Sequence, residues 1–513
     1  MKRYSKFFVG FLSMIILSVS VLSGCGKSSS KIIIDLGSLM PTANTTATVD
    51  HPEVIQASKY IIQDYVEHKG VNIEWALDYG RSSGDSVEKT TSWYNIQINT
   101  DNCPLLGYTG LNLFQDMDYY VTLDEYLNRP NPYVAAGQPG SIHWKDMFYD
   151  YVWDNASIKN IKGEIVAIPL LLSVGTQTGI YYNKNIIDGE TYTVPSNWDE
   201  FKNLVEILKS GEGYSNPFVP TTSYTKAGLY QWALNFNIAP NVLKAMESII
   251  DYDKDGKVTN LEVLRGVKEG FFDPREVGYA QSVYDECYTY YSETLTKGWN
   301  NFDSATNWAN GRVAMLENGL WNIPIENSNT GRKNIGKFDY GIFCPPLADN
   351  VTFGEYAMET EYYDSFENVK NPVSVGINIM KPAVEKNPEL LETAIDLLMY
   401  LTTVENNSAM ASEKGGTMGA VKGSTYNTLV DDSKIGWKSQ QFPIISYSCQ
   451  WPNCYTAERT GKIDDEFEKW VNADTNITEI RSEFFEKLNS EQQAGADEFI
   501  RIFNIDTTGW NIN

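Results

Sequence analysis

A chain of 513 residues with 42% hydrophobic and 13% aromatic side chains is long enough for two or more cores and too apolar for a disordered acidic chain. Its 66 acidic against 41 basic residues give a net charge of −25, which argues against nucleic acid or an anionic membrane surface as partner. Three histidines are too few for multi-histidine metal catalysis, whereas 32 tyrosines and 13 tryptophans supply planar rings suited to gripping a flat, partly apolar ligand.

In chain order, Lys2, Arg3 and Lys6 precede an apolar run from Phe7 to Leu22 that contains no acid, the layout of an export signal. Leu22-Ser23-Gly24-Cys25, followed by Gly26-Lys27-Ser28-Ser29-Ser30, resembles the bacterial lipobox. That resemblance implies a signal peptide over 1–24, a diacylglyceryl anchor on Cys25, a short linker over 25–30, and a body held on the outer face of the bacterial cytoplasmic membrane. Acyl chains on one cysteine hold it there at about 0.8 kcal/mol per buried methylene. Loss of the three basic signal residues takes the net charge from −25 to −28. The remaining Cys103, Cys287, Cys344, Cys449 and Cys454 are odd in number and form no disulfide framework; Cys449 and Cys454 are close enough to pair, and most are expected to be buried apolar groups.

Lys31–Leu36 reads as a β-branched strand, His51–His68 as a helix, and Val71–Leu77 as an alternating second strand. Gly80-Arg81-Ser82-Ser83-Gly84 fits the G-x-S-x-G nucleophile elbow, but only His143 lies downstream to serve as base, so the catalytic reading is set aside. Gly179–Tyr182 and Tyr340–Phe343 read as strands; Trp198–Leu208, Glu389–Leu401 and Asp464–Trp470 carry helical periodicity. Strands and helices interleave from end to end, which predicts an α/β class with more than one sheet.

Residues 251–262 place Asp251, Asp253 and Asp255 at positions 1, 3 and 5 of a twelve-residue loop, Gly256 at the turn, Lys257 with its carbonyl at 7, Thr259 at 9 and Glu262 at 12. This spacing wraps six oxygen donors around one point, as calcium requires. It resembles an EF-hand with flanking helices over 241–272, and one unpaired loop outside the cell predicts a single structural calcium ion. Val258 is expected to pack into the core.

Val166-Ala167-Ile168-Pro169, Gly179-Ile180-Tyr181-Tyr182-Asn183-Lys184 and Val194-Pro195-Ser196-Asn197-Trp198-Asp199-Glu200-Phe201 follow one another in order. Further on come Trp308-Ala309-Asn310-Gly311-Arg312-Val313-Ala314-Met315, Asn318-Gly319-Leu320-Trp321 and Phe338-Asp339-Tyr340-Gly341-Ile342. The series resembles family 1 extracellular solute-binding proteins of bacterial ABC importers, the maltose-binding-protein-like group. The resemblance implies a two-lobe periplasmic-binding-protein-like fold with an interlobe cleft and hinge crossovers. Lobe 1 is then 31–183 with 345–420, and lobe 2 is 184–344 with 421–513.

It further implies a monomeric receptor without enzymatic activity, which closes on a sugar or oligosaccharide and delivers it to ABC permease subunits. Trp321, on the family's G-x-W tryptophan, is the first candidate for ligand contact. Trp451, Trp232, Tyr230 and Tyr108 are the others, because rings cover sugar faces. Two alternatives belong to other classes. A surface-anchored, calcium-stabilised glycoside hydrolase needs two carboxylates about 5–9.5 Å apart, and no hydrolase motif supports it. A surface interaction module built on the calcium hairpin would resemble half a dockerin, and only one such loop is visible.

Overall fold

The computed structural model describes residues 31–41, 57–82, 87–108, 119–160, 162–173, 178–211, 213–220, 249–254, 258–299, 304–319, 338–343, 362–363, 373–412, 417–424, 442–443, 457–503 and 505–512. Three isoleucines make β1 (Ile32–Ile34), at most 2% exposed, a continuous apolar run of the kind a strand buried on both faces requires. Its parallel neighbours are β2 (Ile73–Trp75) and β3 (Leu106–Tyr108). The predicted second strand is shorter than its alternation suggested, because Ala76–Tyr79 turn into a 3₁₀ helix that Gly80 ends at φ +86°. Antiparallel to β3 runs β10 (Val373–Ile379), which also pairs with β4 (Ala167–Ser173). Beyond β4 lies β11 (Thr417–Gly419), giving a six-stranded sheet in the order β11-β4-β10-β3-β1-β2. Helices α1 (Ala57–Lys69) and α2 (Val87–Gln97) accompany this sheet.

The second sheet has the order β6-β7-β5-β8, with β5 (Thr178–Asn183), β6 (Phe218–Pro220), β7 (Met315–Gly319) and β8 (Tyr340–Phe343). A separate pair joins β9 (Tyr362–Tyr363) to β12 (Phe442–Pro443). Because β5 pairs along its length with β7 and β8, it belongs to lobe 2. The lobe boundary expected at residue 184 therefore moves ahead of Thr178.

Over lobe 2 lie α3 (Trp198–Ser210), α4 (Asn260–Lys268), α5 (Gly278–Thr294), α7 (Ala457–Val471) and α8 (Ile477–Phe503), while α6 (Leu390–Leu401) packs in lobe 1. The start of α3 is set locally: the Asn197 side chain accepts from the Glu200 amide at 3.0 Å, and Glu200 accepts from the Ser196 amide at 2.8 Å. Rings dominate the lobe 2 core. Trp198 stacks on Tyr290 at 5.4 Å and Tyr288 on Trp470 at 4.4 Å, and Phe201, Phe218, Tyr284, Tyr291, Phe467 and Phe484 are fully buried beside them. Much of the aromatic content thus holds lobe 2 together rather than facing a ligand. Cys103 and Cys287 are free and buried, and burial pushes the Cys103 thiol up to about 12.

Candidate functional site

Strand directions locate the functional edge. Since β10 is antiparallel to both β3 and β4, strands β1 to β4 all end at one edge of the first sheet, and β10 begins there. The chain leaves this edge after Ser173 and enters the second sheet at Thr178, which pairs with Gly319 at the end of β7. Ends of β6 and β8, at Pro220 and Phe343, lie at that same end of the second sheet. Both sheets therefore direct the carboxyl ends of strands towards the passage between them, and the short link over 174–177 keeps the two edges within about 18 Å. Ligands of open α/β sheets gather at such carboxyl edges.

On the lobe 1 side a buried polar hub stands at this edge. Asp35, immediately after β1, is fully buried; its Oδ1 accepts from the Gly37 amide at 2.7 Å. Its Oδ2 accepts from Arg81 Nε at 3.1 Å and from the Tyr94 hydroxyl at 2.8 Å. Arg81 is itself buried, so the ion pair is sealed from water. The Tyr94 oxygen in turn accepts the Tyr108 amide at 3.0 Å. Burial, followed by the Asp35 charge, pushes the Tyr94 hydroxyl well above its ordinary pKa, and the same two influences raise that of Tyr108. These phenols stay neutral and able to donate. Gly37 is required here: its φ is +59°, and a Cβ would stand 2.5 Å from the Tyr108 ring.

The G-x-S-x-G stretch has a structural use in this hub. Gly80 closes a 3₁₀ helix, so this stretch is entered from a helix rather than from a strand, and it delivers Arg81 to Asp35. In lobe 2 the corresponding buried acid is Glu317 on β7, 1% exposed, which accepts from the hydroxyls of Tyr290 at 3.3 Å and Tyr291 at 3.2 Å.

Of the predicted ligand residues, Tyr108 sits at the end of β3, half-buried, on the edge just described. Trp321, Trp451, Trp232, Tyr230 and the lipidation candidate Cys25 lie outside the described residues. Asp35, Arg81 and Tyr94 escaped the sequence reading. The signal for them was an acid placed directly after an isoleucine strand, where burial is otherwise complete.

The loop at 251–262 can be tested for fit to a cation. Carboxylate oxygens of Asp251, Asp253 and Glu262 lie within 4.8 Å of one another, and two ligands of one calcium ion stand at most about 5 Å apart. Glu262 is held ready by the Tyr252 amide at 2.8 Å and the Thr259 amide at 2.8 Å, while the Thr259 hydroxyl caps α4 by accepting from the Glu262 amide. Val258 is buried as expected, and Phe272 is the buried ring beyond the loop. Asp255, Gly256 and Lys257 lie outside the described residues. The exit helix is fixed to lobe 2, with Lys268 Nζ 2.7 Å from Asp497 and the Glu269 carboxylate accepting from Tyr252, Arg265 and the Asn511 amide. The donors present fit a calcium-sized ion.

Comparison with known proteins identifies the architecture. The profile described as "Bacterial extracellular solute-binding protein" matches residues 70–434, more than half of the chain. The chain belongs to this family. The solute-binding protein is 23% identical over 358 residues to the multiple sugar-binding protein of Streptococcus mutans, covering 66% of this chain and 70% of that one. Its fold is similar to the putative binding protein MsmE of Bacillus subtilis in an open conformation, with TM-score 0.54, 14% identity, and coverage of 91% and 98%. It is also similar to the solute-binding protein RafE in complex with raffinose, with TM-score 0.53, 14% identity, and coverage of 92% and 100%. The expected α/β two-lobe fold is therefore the fold observed, and a binding protein without catalysis agrees with the family. An extracellular family also agrees with a cell-surface location, and among the described residues no helix is long and apolar enough to cross a membrane.

Proposed function

We propose that this solute-binding protein is the sugar or oligosaccharide receptor of an ABC importer, a monomer tethered by a lipid on Cys25, which closes on its ligand and hands it to a permease. The observation that carries the reading is the meeting of two sheets at their carboxyl edges in a chain of this family, with a sugar-binding relative across most of its length. Tyr108, at that edge, and Trp321, Trp451, Trp232 and Tyr230 are the rings proposed to cover sugar faces. Lobe closure buries whatever contacts both sides.

The test is a thermal-shift panel of galactose, maltose, maltotriose and raffinose against the mature chain. One sugar should raise the melting temperature in proportion to the logarithm of its concentration, with no product formed. Released reducing ends, or no shift with any sugar, would overturn the receptor reading.

In the same proposal Asp251, Asp253, Asp255, Lys257, Thr259 and Glu262 hold one structural calcium ion. With an affinity typical of extracellular loops, 10 mM calcium should stabilise lobe 2 by about 1.4–2.7 kcal/mol over the chelated protein. Magnesium should not substitute. The exposed Asp253→Asn should abolish the calcium response and leave the melting temperature in chelator unchanged; a response that survives Asp253→Asn sinks the site.

A further inference from the structure

We propose that Tyr94, held by Asp35 and Arg81, is a positioning residue for ligand binding: a phenol buried behind the lobe 1 edge that fixes Tyr108 and the turn at Gly37 in their ligand-ready arrangement. The inference rests on the receptor reading above and adds to it a group that touches no ligand.

The geometry carries it. One phenol oxygen both donates to Asp35 Oδ2 at 2.8 Å and accepts the Tyr108 amide at 3.0 Å, so the backbone at the end of β3 is tied to the residue that follows β1. The other oxygen of Asp35 fixes the Gly37 amide, and the Tyr108 ring lies so close over Gly37 that no side chain fits between them. Arg81 closes the set by neutralising Asp35 where water is excluded. The residues that follow β1 and β2 and the end of β3 all meet in this hub: Asp35 and Gly37, Arg81, and Tyr108. Because Tyr108 stands at the carboxyl edge of the sheet, the hub that holds its amide also fixes the root of the ring proposed to meet the ligand. A binding face whose roots move by an ångström loses the prearranged contacts on which affinity depends.

The outer side of lobe 1 supplies a matched control. There the Tyr65 hydroxyl donates to Asp396 Oδ2 at 2.7 Å, another tyrosine–carboxylate bond, formed between α1 and α6 and remote from the edge. Tyr94→Phe and Tyr65→Phe each delete one phenol oxygen and keep the ring, so both variants should fold.

For whichever of galactose, maltose, maltotriose or raffinose binds the wild type, calorimetric titration should show affinity at least 10-fold weaker in Tyr94→Phe and within twofold of wild type in Tyr65→Phe. Hydrogen exchange at the Tyr108 amide should accelerate in Tyr94→Phe alone. Affinity within twofold of wild type in Tyr94→Phe, or equal losses in the two variants, would overturn the positioning role while leaving the receptor reading intact. No binding of any of these sugars by the wild type would overturn the receptor reading, and this inference with it.

Discussion

Arg81→Met should destabilise lobe 1 by about 3–5 kcal/mol, because it leaves the Asp35 carboxylate buried and stripped of its charge partner. The loss is large for a pair because neither member can turn to water: Asp35 is fully buried and the Arg81 side chain is only 3% exposed. For a lobe of this size the fall corresponds to roughly 6–20 °C in the melting of lobe 1. The double variant Asp35→Leu/Arg81→Met should recover most of it, since two apolar groups satisfy each other where one stranded charge cannot. Urea unfolding, followed separately for each lobe, reads both values. A loss below 1 kcal/mol for Arg81→Met would mean that Asp35 finds another partner.

The second large effect lies in lobe 2, at Asp464 on α7. This side chain is 7% exposed, and among the described residues neither of its oxygens has a hydrogen-bond partner. Burial first, then the charges of Asp465 and Glu468, push its carboxyl up to about 8. A folded pKa above the unfolded one means that the native state holds the proton more tightly. Its stabilising effect is complete below about pH 4 and declines as pH rises towards 8, by up to about 1.4 kcal/mol per unit. Asp464→Leu removes the titration. Its gain over wild type should be about 2–4 kcal/mol larger at pH 8 than at pH 5, read as the midpoint of lobe 2 unfolding at each pH. An equal change at both pH values would show that Asp464 is solvated.

Local chemistry was legible in the sequence, and pairing was not. The helix beginning at Trp198 announced itself through its apolar spacing, and the cap that starts it also lies within four residues. The strand at Ile32 was equally plain, since an isoleucine run has few other uses. Asp35 looked like the end of that run because its partners Arg81 and Tyr94 lie 46 and 59 residues away. The boundary at residue 184 failed for the same reason. Nothing within Thr178–Asn183 states that its partners are β7 and β8. Composition could count the rings but could not divide them between the lobe 2 core and a ligand face; that division depends on contacts such as Tyr288 with Trp470. The candidate cation loop stood out because all its proposed donors lie within twelve residues, a spacing that needs no tertiary knowledge.

The position of β10 sets an order on how the molecule is made. It lies between β3 and β4, and its residues come from beyond the whole of the second sheet. Until residues 373–379 have emerged, β3 and β4 have no common neighbour, and the first sheet exists only as two fragments. The second sheet can close once Phe343 has appeared, so the sheet encoded first is completed last. Contacts this distant in sequence form slowly. A nascent chain therefore stays open through most of its synthesis, the state in which a polypeptide can still be threaded across a membrane.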